Sequence, residues 1–262
     1  MPYETLSFDV TGGVATITLN RPDNANAMNR QMMQDLFAVA LQCDSDPAVR
    51  AVIITATGKM FCAGGDLKEF AAQGDGMPAF ITELATILHA AITRFQRMDA
   101  PVVMAINGMA AGAGMSLAAA GDIVIASDQA AFTCAYTAAG ITPDGSSTYF
   151  LAKHIGLMRA KELVLTNRRL TAGEAHEWGL VTKVVGADQL QSEANALAAG
   201  FAAGPTKAFG GSKRLLLNAY ANTLETQLED ETVSIANLTR GHDGREGIEA
   251  FAARRKPAFN GQ

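Results

Sequence analysis

Two loops of small residues and one aspartate in a turn are where this sequence could concentrate chemistry. The first loop is Phe61-Cys62-Ala63-Gly64-Gly65-Asp66-Leu67, and the second runs Asn107-Gly108-Met109-Ala110-Ala111-Gly112-Ala113-Gly114-Met115-Ser116. Small residues let a backbone approach a ligand closely. The first N–H groups of a helix have no internal partner and carry the positive end of its dipole. Two such groups aimed at one oxygen form an oxyanion hole, which contributes about 2.7–4 kcal/mol per donor in a transition state. Taken singly, each loop reads first as a tight turn with close helix–sheet packing. Neither is a phosphate cradle, because GxxxxGK[ST] is absent and Gly108 and Gly112 are mis-spaced for GxGxxG. The aspartate is Asp144, in Gly140-Ile141-Thr142-Pro143-Asp144-Gly145; read locally, it sits in a turn and caps a helix starting near residue 146.

These groups need a scaffold, and the hydrophobic pattern supplies one. Val14–Leu19 reads as a strand, followed by turn chemistry at Asn20–Asn24. A helix is expected from about residue 27, where Met28, Met32, Leu36 and Ala40 share one face. The apolar stretches Val49–Thr55 and Val102–Ile106 read as buried strands, the first as buried on both faces, and Asp122–Ala126 reads as the next strand. A long helix is expected over roughly 78–97, and a short one of small residues up to Ala120. Beyond residue 145 the chain reads as helical, with start signals such as Thr171 followed by Glu174 three residues on. Strand followed by helix, repeated, predicts an α/β fold with mainly parallel pairing. Both loops follow a buried strand and precede a helix, which puts them at the carboxyl end of the sheet, where ligands bind.

Composition narrows the function classes. The 262 residues carry a net charge of −5 with no lysine/arginine block, so no electrostatic footprint for nucleic acid or an anionic membrane is present. The longest apolar stretches are broken by Gly, Asp or Arg short of a spanning helix. The N-terminus lacks the basic and apolar regions of a secretory signal, so a cytoplasmic protein is expected. Cys43, Cys62 and Cys134 have no zinc-site spacing and read as buried, inert thiols. No metal site is expected.

The ordered set of motifs resembles the crotonase (enoyl-CoA hydratase/isomerase) superfamily over about residues 3–259. Phe61–Leu67 is similar to its F-x-A-G-x-D-[LI] loop, and Pro101-Val102-Val103-Met104-Ala105-Ile106-Asn107-Gly108 through Gly114 is similar to its second loop. Further likeness lies in Asn20-Arg21-Pro22 with Asn26-Ala27, Leu165-Thr166-Asn167-Arg168, Glu177-Trp178-Gly179-Leu180-Val181 and Arg245-Glu246-Gly247. The resemblance implies a ββα superhelix, with a core over residues 1–200 and a helical trimerisation region over 201–262. The expected assembly is a homotrimer or a dimer of trimers. The implied substrate is an acyl-CoA thioester, with coenzyme A entering as part of the substrate and no separate cofactor. The backbone N–H groups of Ala63 and Ala113 are expected to hold the thioester oxygen. Ala25, Asn26, Ala27 and Met28, together with Gly64, Gly65, Asp66 and Leu67, are expected to line the coenzyme A site. Candidate partners for its phosphates are Arg21, Lys59 and Arg254-Arg255-Lys256, with Lys256 able to reach a neighbouring subunit's site.

The resemblance also bears on the reaction. A hydratase of this superfamily uses two glutamates, and alignment puts Ser116 and Tyr136 at those positions. Neither can accept a proton at neutral pH as a carboxylate does. Asp144 falls where isomerase-type relatives place an acid/base and where 4-chlorobenzoyl-CoA dehalogenases place a nucleophile. In the second group a histidine stands at the position of His89 and activates the hydrolytic water. His89 also reads as a partly buried helix residue, and His154, His176 and His242 as surface residues away from the motifs. The favoured expectation is isomerisation: Asp144 removes an allylic proton and returns it two carbons away, with Tyr136 shaping the acyl pocket or bonding the aspartate. The alternatives are dehalogenation of an aryl-CoA, hydration, or non-catalytic acyl-CoA binding. The stretch 68–90 is expected to close the acyl pocket.

Overall fold

The computed structural model describes residues 3–262, so the first two residues of the expected 1–200 core lie outside it. The chain opens with a hairpin, β1 (Leu6–Thr11) and β2 (Val14–Leu19), paired antiparallel. Then come α1 (Arg30–Ser45), β3 (Ala51–Ala56), β4 (Met60–Cys62), α2 (Leu67–Ala71) and α3 (Met77–Arg97). The next turn of the spiral is β5 (Val102–Ile106), β6 (Met109–Ala111) and α4 (Ala113–Ala119), followed by β7 (Ile123–Ser127) and β8 (Ala131–Thr133). The remainder is α5 (Ser147–Ile155), α6 (Leu157–Thr166), β9 (Leu170–Thr171), α7 (Ala172–Trp178), β10 (Lys183–Val185), α8 (Leu190–Ala202), α9 (Thr206–Asn218), α10 (Leu224–Leu238) and α11 (His242–Ala252).

The strands form two sheets. The larger has the order β1-β2-β3-β5-β7-β10, parallel from β2 onward. The smaller has the order β4-β6-β8-β9, with β4, β6 and β8 parallel. After the β1–β2 hairpin, the pairs β3/β4, β5/β6 and β7/β8 each lay one strand in the large sheet and the next in the small one before a helix carries the chain back: the expected ββα superhelix. β3 and β5 are buried along almost their whole length, because helices cover both faces.

Three sequence expectations are corrected here. The helix foreseen from residue 27 begins at Arg30, because Ala25 and Asn26 take left-handed backbone conformations (φ 53° and 51°) and the Asn29 side chain caps the helix on Met32 N–H at 3.0 Å. The loops around Lys59–Cys62 and Met109–Ala111 contain the three-residue strands β4 and β6, too short to show a period. Finally, the segment Gly74–Arg97 is long and apolar enough to cross a membrane by length and composition, with a mean hydropathy of 1.2. Its charges, apart from Glu83, lie at the ends. Its apolar side chains Phe80, Leu84, Leu88 and Phe95 are buried within the protein, where α3 packs against α1.

The C-terminal helices are tied to this core through α9. Lys213 Nζ lies 2.7 Å from Asp122 Oδ2 and donates to the carbonyls of Phe95 and Ala100, both at 3.0 Å. Burial pushes the Asp122 carboxyl up and the Lys213 ammonium down, and each is opposed by the other's charge. Beyond α9, Leu224, Leu228 and Ile235 on α10, and Ile248 and Phe251 on α11, stand exposed on the single chain.

Candidate active site

The loops that leave β4, β6 and β8 at their carboxyl ends meet at one cavity of about 370 Å³. Its wall is apolar, made by Met33 of α1, Leu67 and Phe70 of α2, Ile81 and Leu84 of α3, and Ile141. Phe70 is held edge-on to Phe80, with ring centres 6.1 Å apart. The polar end is formed by Gly64, Gly65, Gly112, Ala113, Tyr136 and Asp144, and among the described residues Asp144 is the only carboxylate lining the cavity.

Backbone hydrogen bonding decides which N–H groups remain available. Met28 N–H donates to the Gly64 carbonyl at 2.7 Å and Asp66 N–H to the Met28 carbonyl at 3.0 Å. In this strand-like pairing residues 64 and 66 turn toward Met28, so Gly65, between them, turns the other way. Among the described residues its N–H has no acceptor. Ala63 N–H, by contrast, donates to the Ala25 carbonyl at 3.0 Å. The expectation that Ala63 supplies a free donor is therefore corrected: the left-handed turn at Ala25-Asn26 brings a carbonyl onto it, and Gly65 is the available group. On the second loop Gly112 N–H donates to the Thr133 carbonyl at 3.1 Å. Ala113, the first residue of α4, has no acceptor for its N–H among the described residues.

Gly64 brings the two loops into contact. It has φ 99°, and a methyl group there would sit 3.0 Å from the Ala111 carbonyl oxygen and 3.4 Å from Ala113 N. At Gly114 a methyl group would approach the Cys62 Cβ to 2.6 Å. Cys62 is itself buried, and burial pushes its thiol up to about 12. Cys43 and Cys134 are buried as well, with thiols raised by burial to about 12 and about 11.

Asp144 is held from several sides. Tyr136 Oη donates to Asp144 Oδ1 at 2.7 Å, and Ser116 Oγ lies 2.8 Å from Tyr136 Oη. Burial first, and then the Asp144 charge, push the Tyr136 phenol well above its ordinary value, so it stays a proton donor. Ser116 Oγ and Ser147 Oγ donate to the Asp144 main-chain carbonyl at 2.9 and 3.0 Å. His89 Nε2, on α3, lies 3.6 Å from Asp144 Oδ2 and accepts the Gly145 N–H at 3.1 Å. Residue 145 has no room for a side chain here: a methyl group on Gly145 would come within 2.9 Å of Ser116 Cβ.

A sequence model described as enoyl-CoA hydratase/isomerase matches residues 9–262 of the chain. The protein belongs to the enoyl-CoA hydratase/isomerase family, within the crotonase superfamily. It is 38% identical to the 1,2-epoxyphenylacetyl-CoA isomerase of Escherichia coli K12, over 97% of each chain. It is 35% identical to 4-chlorobenzoyl coenzyme A dehalogenase-2 of an Arthrobacter species, over 88% of this chain and 84% of the relative. The crystal structure of an enoyl-CoA hydratase from Polaromonas sp. JS666 superposes with a TM-score of 0.92 at 33% identity, covering 97% of this chain and 99% of that one. This enoyl-CoA hydratase/isomerase family member is thus an acyl-CoA enzyme, and its relatives span isomerase, dehalogenase and hydratase names.

Measured against the sequence, the family fold brings Asp144, Tyr136, Ala113, Gly64, Gly65 and Leu67 to one cavity and places His89 directly behind Asp144. Other candidates do structural work. Asn26 is fully buried; its amide donates to the carbonyls of Thr57 and Met60 at 2.9 Å each and its Oδ1 accepts Arg21 N–H at 2.8 Å. Met28 is fully buried too. Asp66 caps α2 and pairs with Arg21 at 3.3 Å, which takes Arg21 from the phosphate candidates; Arg255 is similarly paired with Glu246. Lys59 and Lys256 are exposed and make no ion pair among the described residues, and neither lines the cavity. Sequence reasoning missed the free N–H of Gly65 and the wall residue Met33; Phe70, Ile81 and Leu84 fall in the stretch 68–90 expected to close the pocket, but were not singled out within it. The first depends on the direction of one peptide and the others on helix packing, and neither has a local sequence signal.

Proposed function

We propose that the protein shifts the double bond of an enoyl-CoA. Asp144 takes a proton from C2 of a 3-enoyl thioester, the electrons move onto the thioester oxygen, and the same carboxyl returns the proton to C4 to give the 2-enoyl product. The Gly65 and Ala113 N–H groups hold the oxygen as charge develops on it, the geometry of an oxyanion hole. The observation that carries the reading is a single carboxylate in an apolar cavity that also contains two N–H groups without acceptors. Hydration would need a second proton-transfer group at Ser116 or Tyr136, and Tyr136, with its raised phenol, serves as a donor that steadies Asp144.

Likeness to a dehalogenase favours a second reading, attack of Asp144 on an aryl-CoA with His89 activating water. It fits less well, because the Nε2 lone pair of His89 is already occupied by the Gly145 N–H and, among the described residues, Phe70 is the only phenylalanine lining the cavity. The exposed apolar side chains of α10 and α11 support assembly as a trimer or dimer of trimers. Incubation with 3-hexenoyl-CoA, 2-hexenoyl-CoA and 4-chlorobenzoyl-CoA in heavy water tests the reaction. Conversion of the 3-enoyl thioester to the 2-enoyl, with exchange at C2 or C4, is expected. Chloride release would instead make Asp144 a nucleophile, and binding without exchange or turnover would remove the catalytic reading.

A further inference from the structure

Asp144 C=O and Gly145 N–H belong to one peptide group, and the protein grips it from opposite sides. The carbonyl accepts from Ser116 Oγ at 2.9 Å and Ser147 Oγ at 3.0 Å. The N–H donates to His89 Nε2 at 3.1 Å. The residue after the peptide is a glycine in the left-handed region, φ 58°, followed by Ser146, also left-handed, at φ 71°. Glycine crosses readily between positive and negative φ, so this peptide can flip at low cost unless both ends are tied. A flip turns the Asp144 carbonyl away from Ser116 and Ser147 and the Gly145 N–H away from His89, and so removes the backbone bonds that hold Asp144 in register with Tyr136 Oη. The hydroxyls restrain only the oxygen end. His89 is the sole acceptor for the nitrogen end among the described residues.

The tautomer follows from the same contact. A nitrogen that accepts an N–H carries its lone pair toward the donor, so the proton of the neutral ring is on Nδ1. The Nε2 lone pair is then directed at the Gly145 N–H, while the Asp144 Oδ2 atom 3.6 Å away is beyond hydrogen-bond distance. The His89 side chain remains about half exposed (49%), so water can replace it at little cost to the fold. Its removal should therefore disturb the orientation of Asp144 more than stability.

We propose that His89 is a positioning residue that locks the Asp144–Gly145 peptide through its Nε2 lone pair, and so aims the Asp144 carboxylate, without acting as a base. The proposal rests on Asp144 being the proton shuttle, and its test separates the two. Glutamine carries an acceptor oxygen at the place of Nε2 but no basic nitrogen, whereas asparagine is too short to reach Gly145. With 3-hexenoyl-CoA as the probe, His89→Ala and His89→Asn should lower kcat about 10- to 100-fold with little change in KM, the scale of loss from a misplaced catalytic group. His89→Gln should recover most of that loss. Amide exchange at Gly145, followed by NMR, should be slow in the wild type and His89→Gln and fast in His89→Ala and His89→Asn. If His89→Gln is as impaired as His89→Ala while its Gly145 amide remains protected, the imidazole is needed for its basicity and the proposal is overturned. It is overturned equally if Gly145 exchange does not respond to the alanine variant. Failure of the underlying reading looks different: Asp144→Asn would keep the wild-type rate whatever the His89 variants do.

Discussion

Tyr136 and Gly64 show how much of the site depends on single atoms. The Tyr136 hydroxyl makes the 2.7 Å bond that fixes Asp144 Oδ1, and burial keeps it protonated. Hydrogen bonds to a charged group contribute about 1.5–3 kcal/mol, so Tyr136→Phe should reduce kcat roughly 10- to 100-fold in a 3-enoyl-CoA isomerisation assay, leaving KM nearly unchanged. An unaltered kcat would assign Tyr136 to pocket shape alone. At Gly64 a methyl group would crowd Ala111 O and stand 3.4 Å from the Ala113 nitrogen, where the thioester oxygen must approach. Gly64→Ala is expected to abolish turnover in a chain whose circular dichroism stays native; retained activity would place the oxygen elsewhere. Asp144 and Tyr136 were legible in the sequence through their alignment with the family's catalytic positions. The choice between Ala63 and Gly65 was not, because it depends on which N–H the Ala25 carbonyl takes. No residue type encodes that.

At the scale of elements, the long strands and helices follow the hydrophobic pattern closely, as with Val102–Ile106 and the helix Leu157–Thr166. The three-residue strands β4, β6 and β8 do not, although they carry the site at their ends. Too short for any periodicity, they exist because the parallel partners beside them supply the hydrogen bonds. The start of α7 is a feature that sequence and structure agree on, since Thr171 and Glu174 form a reciprocal capping box. The backbone N–H of Thr171, and then Arg168, hold the Glu174 carboxyl down to about 2, below its ordinary 4.5. A depressed folded-state value means that this contribution is fully present above the unfolded value and is lost as pH falls through the folded one. The gap in melting temperature between wild type and Glu174→Ala should therefore be largest near neutral pH and close between about 4.5 and about 2. A gap independent of pH would show that Glu174 contributes through packing instead of charge.

For the whole molecule, the spiral uses its two sheets differently: the large one forms the core, and the small one presents three loops to a single cavity. The α/β class and parallel pairing were readable from alternating buried strands and helices, but the division into two sheets was not, since it is set by contacts between distant turns of the chain. The C-terminal helices carry exposed Leu224, Leu228, Ile248 and Phe251, more apolar surface than a free helix pair needs. Light scattering should return the mass of three or six chains, and Phe251→Asp combined with Ile248→Asp should shift it toward one. A monomeric wild type would leave those side chains without a role in assembly. The catalytic reading of the entire fold depends on Asp144, and the most direct measurement is the turnover of 3-hexenoyl-CoA by wild type and Asp144→Asn at equal concentrations of folded protein. Isomerisation by the wild type, reduced at least about a thousandfold in the variant, is the predicted result for removal of a sole acid/base. Equal rates in the two proteins would contradict it.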